Sequence, residues 1–152
     1  LKVKFSFKKV RKSDEKLLFI WRNEKKTRQW SFNKKPISLN EHKTFLKDKI
    51  SNKKNYMWIF LLDGEPCGLI RINIKGKKVI LSYLISKKYR GKKLASIMLS
   101  KVKKKICKKF PKVTIYAQTL SKNIISIKSL LRAGFTLDSS HGKKKIYIHK
   151  CV

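Results

Sequence analysis

Tyr89-Arg90-Gly91-Lys92-Lys93-Leu94-Ala95 is a basic turn set between two regular elements. Before it runs Val79-Ile80-Leu81-Ser82-Tyr83-Leu84-Ile85, a β-type stretch. After it, Leu94, Met98, Val102 and Ile106 recur every four residues, which predicts an amphipathic helix over about Lys92 to Lys109. A turn that feeds a strand into a helix N-terminus leaves backbone N–H groups unpaired, and the helix dipole favours negative charge there. Arg90, Lys92 and Lys93 add cations to those donors. The pattern predicts a phosphate or pyrophosphate guest. Its plain competitor is a solvated basic loop in a lysine-rich chain.

Reading outward, Tyr56 to Leu62, Cys67 to Ile74 and Lys78 to Ile85 are three strand-type runs. Asp63-Gly64 and Lys75-Gly76 lie between them as hairpin turns, so the strands should be consecutive and antiparallel. Toward the N-terminus, Val3, Phe5 and Phe7 alternate with polar residues as a first strand. Ser13 can cap a helix with Leu17, Ile20 and Trp21 on its apolar face. Asn23 to Lys35 reads as a polar connection whose Trp30 and Phe32 either plug the core edge or line a pocket. Ser38-Leu39-Asn40-Glu41 is a capping box for a second helix buried along Phe45, Leu46 and Ile50. Past the basic turn, Pro111 stops the helix and Lys112 to Gln118 is a strand. Ser121 can cap a last helix with Ile124, Ile127, Leu130 and Leu131 inward, and Gly134 ends it. Phe135 to Leu137 and Lys145 to His149 are two final strands around a loop at Ser139 to Gly142. The order β-α-α-β-β-β-α-β-α-β-β predicts an α/β (α+β) fold, a mixed sheet with helices on both faces, in one domain spanning 1–152.

Bulk properties bound the function. With 41 Lys and Arg against 8 acidic residues, the net charge is +33. Such a field attracts anions, and non-specific, salt-sensitive nucleic-acid binding follows from charge alone. The basic residues are spread along the whole chain, as a compositional bias would spread them, and the recognition motifs of a nucleic-acid-binding module are missing. No apolar run reaches the length of a membrane span, and no signal peptide opens the chain. Cys67, Cys107 and Cys151 form no close pair and read as free thiols, which suits a reducing cytoplasm. His42, His141 and His149 show no metal-ligand spacing, so no metal is expected.

Two blocks resemble the GNAT superfamily of acyl-CoA-dependent N-acetyltransferases. Its motif Arg/Gln-x-x-Gly-x-Gly/Ala is met here by Arg90-Gly91-Lys92-Lys93-Leu94-Ala95, in which Arg90, Gly91 and Ala95 fit and Lys93 replaces the central glycine. A lysine can still present its N–H there if φ stays negative. The second block, Asn-x-x-Ser followed by a helix and Gly-Phe, is Asn123-Ile124-Ile125-Ser126 with Gly134-Phe135. In the N-terminal half, Trp21-Arg22-Asn23, Arg28-x-x-Ser31-Phe32-Asn33, Pro36-Ile37-Ser38 and Glu41-His42 resemble the branch that acetylates nucleotide-linked 4-amino-sugars, as in pseudaminic-acid assembly. A neighbouring branch acetylates N-termini of ribosomal proteins.

The resemblance implies acetyl-CoA as co-substrate and direct attack of an amine on its thioester. A backbone N–H near Leu84 or Ile85 would polarise the thioester carbonyl, and the same edge would pair with the pantetheine arm. Arg90, Gly91, Lys92, Lys93, Leu94 and Ala95 would hold the pyrophosphate, with Asn123 and Ser126 on the arm; a helix-starting role is the alternative for Asn123. Candidate proton-transfer groups are His42, Glu41, Ser82 as a relay to water, and Tyr83. Relatives carry a tyrosine acid seven residues after the asparagine, where this chain has Leu130. Arg22, Asn23, Arg28, Trp30 and Phe32 are the candidates for the acceptor, a small-molecule amine read as a nucleotide-linked amino sugar. Protein N-terminal acetylation, a basic nucleic-acid-binding module and a scaffold that has lost catalysis are the competing readings. The sequence fixes no oligomeric state and leaves a homodimer open.

Overall fold

The computed structural model describes residues 2–152. Seven strands and five helices follow one another as β1 (Phe5–Lys9), α1 (Glu15–Asn23), α2 (Lys25–Gln29), α3 (Leu39–Ser51), β2 (Asn55–Leu62), β3 (Glu65–Lys75), β4 (Lys78–Ile85), α4 (Leu94–Lys109), β5 (Thr114–Leu120), α5 (Ile124–Arg132), β6 (Thr136–His141) and β7 (Lys144–Lys150). The strands form one sheet in the order β1-β2-β3-β4-β5-β7-β6. Every neighbouring pair is antiparallel except β4 and β5, which are parallel and joined through α4. That crossover is the one place where the chain must travel the length of the sheet to return in the same direction.

Both predicted hairpins form, the second with its turn one residue later than read, at Gly76 and Lys77 between the paired Lys75 and Lys78. Asp63 and Gly64 adopt φ of +49° and +81°, the left-handed pair that lets two twisted strands meet over a two-residue turn. Leu94, Met98, Val102 and Ile106 all point into the core, joined by Leu99. They pack with Ile70, Ile72, Leu81, Ile115 and Phe135 on one face of the sheet. On the other face Leu18 and Trp21 of α1 and Leu46 of α3 cover Met57, Ile59 and Leu69. Gly68 permits the close fit beside β4: a Cβ there would lie 2.9 Å from Met98 Sδ and 3.0 Å from the Leu84 carbonyl oxygen.

Several local expectations are corrected. Val3 is exposed and precedes β1. Ser13 sits in a 3₁₀ turn, and Asp14 holds this corner by accepting from Arg11 N–H at 2.8 Å and Lys8 Nζ at 2.7 Å. The polar connection contains α2, capped by Glu24 through Thr27 N–H. Ser38 caps α3 as read, but Ile50 is exposed near the helix end. Ser121 bonds Gly142, and Asn123 caps α5 instead. Ile124 and Leu131 face solvent because the short α5 presents only a narrow stripe, centred on Leu130, to the core. β6 runs through Ser139 to His141, so the expected loop shrinks to a turn at Gly142. Cys107 and Cys151 form a disulfide with Cα atoms 5.2 Å apart, leaving only Cys67 free. A separation of 44 residues hides this contact in sequence. It arises because β7 pairs with β5, and Cys151 N–H then docks on Val113 O beside the end of α4.

Candidate active site

The parallel seam of the sheet opens halfway. β4 and β5 pair from Lys78↔Thr114 to Leu81↔Ala117 and then separate. Beyond that point β4 stays bonded to β3 as far as Ile85↔Gly68, and β5 to β7 as far as Leu120↔Lys144. Ser82 to Ile85 therefore present a bare strand edge inside an otherwise continuous sheet. Unpaired backbone N–H and C=O groups in such a notch demand a partner, and an extended amide-bearing arm supplies one.

At the mouth of the notch lies the basic turn. Tyr89 is buried and anchors it, and Ser86 N–H is fixed on Cys67 O at 2.9 Å. Gly91 has φ +78°. Lys93 has φ +59°, so the condition of a negative φ is not met: the backbone keeps the left-handed bend and the lysine bears its strain. Among the described residues, the N–H groups of Gly91, Lys92, Lys93, Leu94 and Ala95 meet no backbone or side-chain acceptor. A Cβ on Gly91 would meet nothing within 4 Å, so this backbone is open to solvent and to close approach.

Arg90 does not share that openness, which corrects its reading as a pyrophosphate ligand. Its Nε donates to Ile85 O at 3.1 Å and its Nη2 to Thr27 Oγ1 at 2.9 Å. Its Nη1 lies 2.7 Å from Glu24 Oε2 as an ion pair. Burial pushes the Glu24 carboxyl up, but the bond from Arg90 and the Thr27 and Lys26 amides outweigh it and hold the pKa at about 2. Arg90 thus ties the end of β4 to α2.

Across the notch stands the first turn of α5. Asn123 Oδ1 accepts from Ser126 N–H at 3.2 Å, the helix-starting role, while its amide nitrogen makes no bond within the described residues. The Tyr83 and Ser126 hydroxyls meet at 2.5 Å, joining a β4 side chain to α5. Burial pushes the Tyr83 phenol up to about 12, against the opposing bond from Ser126. A thiolate conjugate to a thiol of pKa about 8.5 lies some 3.5 units below that, an uphill transfer of about 5 kcal/mol. Burial therefore makes the Tyr83 phenol a weak proton source.

The remaining candidates lie on the α1–α3 side. His42 is 1% exposed. Its Nε2–H donates to Glu15 O at 3.1 Å, and its Nδ1 accepts from Arg22 Nη1 at 3.2 Å. Burial lowers its pKa. With both nitrogens engaged and no solvent path, it is structural, and the base reading falls. Asn23 clamps Ile37 through both amide atoms at 2.7 Å each. Arg28 donates to Asn23 O at 3.1 Å and Lys34 O. Both hold the α1–α3 connection together and are corrected as acceptor ligands. Trp30 and Phe32 are 37% and 50% exposed, so neither plugs the core. Lys144 Nζ lies 5.2 Å from the Phe32 ring, and Lys144 pairs with Leu120 at the open end of β5. Arg22 stacks on Phe45 at 4.1 Å, and burial lowers its pKa while exposed Glu41 raises it. Ser82 is exposed and lines a cavity of about 160 Å³ with Lys49, Asn55, Arg71, Asn73, Lys75 and Ile80. Arg71, Asn55 and Asn73 were missed. Their signal was available: on the sheet face that carries Met57, Ile59 and Leu69, the alternation turns polar at these three positions.

A strand-edge notch beside a turn of unpaired amides fits an extended arm with a diphosphate at its end. It defines an acyl-coenzyme A-dependent acyltransferase. The family described as "Acetyltransferase (GNAT) domain" matches residues 4–136, and the chain belongs to it. No curated protein sequence matches. Among the solved structures that share the fold are three acetyltransferases. Aminoglycoside acetyltransferase AAC(6')-Ib in complex with coenzyme A is 15% identical, with TM-score 0.81 over 97% of this chain and 95% of that one. RimL, a ribosomal L7/L12 alpha-N-protein acetyltransferase in complex with coenzyme A, is 15% identical, with TM-score 0.81 over 96% and 93%. Campylobacter jejuni N-acetyltransferase PseH is 17% identical, with TM-score 0.74 over 96% and 97%. At these identities the likeness shows fold alone. Acetyl-CoA is the co-substrate, and among the described residues no group of His, Cys, Asp and Glu could hold a metal ion. No helix among them is long and apolar enough to cross a membrane.

Proposed function

We propose that this acetyltransferase acetylates the primary amine of a nucleotide-linked amino sugar, with the β4–β5 notch holding the donor and the α1–α3 side receiving the acceptor. The observation that carries the reading is the notch with its neighbouring row of unpaired amides. Acetyl-CoA, when bound, supplies an acetyl group activated as a thioester. The amides of Gly91 to Ala95, helped by the Lys92 and Lys93 ammonium groups, bind its diphosphate. The bare edge at Leu84 and Ile85 pairs with the arm and directs an N–H at the thioester oxygen. The amide nitrogen of Asn123 is free to meet the same arm.

The proton economy follows from charge. His42 is sealed and Glu24 is neutralised by Arg90. The acceptor amine must arrive uncharged or become so, and nearby cations lower the pKa of an ammonium group. Lys49, Arg71 and Lys75 beside Ser82 supply that field, so water relayed by Ser82 suffices to take the proton. The same field repels a cationic protein N-terminus and welcomes an acceptor that carries its own negative charge. Phe32, beside Lys144 at the open end of β5, and the exposed Trp30 offer flat faces to a sugar or base.

The test is coenzyme A release with acetyl-CoA and a panel of amino-sugar nucleotides, peptides and polyamines. Turnover highest on the amino-sugar nucleotides is expected. Turnover on peptide N-termini alone would replace the acceptor reading. No turnover on any amine, with sequence-selective oligonucleotide binding at physiological salt, would replace the proposal as a whole.

A further inference from the structure

The cavity beside Ser82 holds the strongest unexplained feature of the molecule. Asn55 is 8% exposed, and neither its Oδ1 nor its Nδ2 finds a partner. A buried carboxamide left unpaired costs about 1–3 kcal/mol. Arg71, from the neighbouring strand, is half-buried, and among the described residues its guanidinium meets no acceptor and no carboxylate. Its contact is the face of Phe45 at 5.0 Å. The same ring carries Arg22 at 4.1 Å and Lys49 at 5.6 Å. The nearest carboxylate pairing in the cluster is Lys49 with the exposed Asp48, at a long 3.9 Å. Burial lowers the pKa of Arg71; burial and then the neighbouring Arg71 charge lower that of Arg22, with the exposed Glu41 opposing them. Lys49, Lys75, Asn73 and Ser82 complete a lining with three cations and no carboxylate.

We propose that this cavity is a phosphoryl subsite for the acceptor, in which Arg71, Lys49 and Asn55 take the diphosphate of a nucleotide-linked substrate. The inference rests on the acetyltransferase reading and specifies what its acceptor must carry. A guanidinium fork and an ammonium group match phosphate oxygens in charge and geometry. The Asn55 amide supplies a neutral donor at the floor. The volume of about 160 Å³ lies below the ~300 Å³ at which drug-sized sites begin, so the cavity encloses a charged group and leaves the nucleoside outside. Position supports the same choice. Arg71 is in register with Ser82, and Leu84 is two residues further along β4. At about 3.4 Å per residue that is ~7 Å along the strand. The lining also reaches Ile80, four residues from Leu84, so it is an anion at the Ser82 end that lies about one sugar ring from an amine at the reacting edge.

The test is a titration of the full chain with pyrophosphate in about 0.15 M KCl, with coenzyme A saturating so that the basic turn is already filled. The readout is the arginine Nε–H resonance by heteronuclear NMR, with acetate as the parallel carboxylate arm. A saturable shift of Arg71 with pyrophosphate and a weaker one with acetate is expected. Arg71→Met and the near-isosteric Asn55→Asp should each weaken binding by about tenfold or more, while Lys108→Ala, on the exposed side of α4, leaves it unchanged. A linear, unsaturating shift, or equal binding by all variants, overturns the subsite. Because Arg71→Met removes a cation without a partner, its Tm should not fall, and loss of binding is then not loss of fold. If coenzyme A itself moves no amide of Gly91 to Ala95, the acetyltransferase reading fails while Arg71 can still be followed. If those amides shift and Arg71 stays silent, the subsite alone fails.

Discussion

The basic turn and the Ser82 cavity are both built to meet anions, yet they supply opposite kinds of donor. In the turn the arginine is spent: Arg90 is tied to Glu24, Thr27 and Ile85, and the free donors are backbone amides. In the cavity the backbone is spent in the ladder of β2, β3 and β4, and the free donors are side chains, Arg71 and Asn55 among them. A turn can leave amides unpaired because strand has ended and helix has not yet begun. A sheet interior cannot, so a binding site there must be made of side chains.

The contrast predicts opposite signs for two similar substitutions, the largest effect expected. Arg90→Ala leaves the Glu24 carboxylate, one-fifth exposed, without its main partner and should cost about 2 kcal/mol, under the 3–5 of full burial. Arg71→Met, also at a half-buried arginine, should be neutral or stabilising by about 1 kcal/mol, since an uncompensated desolvation is removed. Thermal unfolding at neutral pH checks both. Acid sharpens the first. Glu24 titrates at about 2 in the fold against an ordinary 4.5, so its contribution is complete above pH 4.5 and is lost as pH falls toward 2. The gap between wild type and Arg90→Ala should close over that window, and a gap that persists at pH 2 would assign the loss to Thr27 and Ile85 instead.

The same division explains what could be read from the chain. The strand order, both hairpins and the core stripe of α4 were legible because each rests on local periodicity or turn chemistry. The turn was legible as an anion trap for the same reason. The fate of Arg90 was not, since Glu24 and Thr27 lie more than 60 residues away, as the cap and a residue of α2, which the polar composition of Lys25 to Gln29 concealed. His42 read as a base because its position beside Phe45 on α3 was visible, whereas Glu15 O and Arg22, which consume its two nitrogens, were brought in by the packing of α1. The Cys107–Cys151 disulfide and the Arg71 cavity depend on register between strands far apart in sequence.

An intermediate effect is expected at Lys93, where the motif and the structure pull apart. The left-handed backbone at φ +59° is the conformation glycine would adopt freely, and lysine adopts it at a cost of about 1 kcal/mol. Lys93→Gly should relieve that strain and remove one cation; Lys93→Ala should remove the cation and keep the strain. If the amides of the turn dominate donor binding, Lys93→Gly and Lys93→Ala both bind coenzyme A within about twofold of wild type by calorimetry, and Lys93→Gly has the higher Tm. Equal weakening in both variants would show that the ammonium group carries the affinity, and the contrast between a backbone site and a side-chain site would lose its force.

An effect on rate alone is expected at Tyr83, which joins β4 to α5 across the notch. A phenol held near pKa 12 by burial keeps its proton throughout the working range, so if it faces the departing thiolate its contribution is one hydrogen bond. A bond of that kind to a charged group contributes about 1.5–3 kcal/mol, and part of it here is shared with Ser126. Tyr83→Phe should therefore lower kcat by about tenfold, with little change in the donor KM and no change in the shape of the pH profile. Proton donation by Tyr83 would instead give a loss beyond about a hundredfold and remove a limb of that profile. Ser126→Ala serves as the counter-test: it frees the phenol from its partner, so an activity equal to or above wild type is expected if Tyr83 acts by donation to the leaving group.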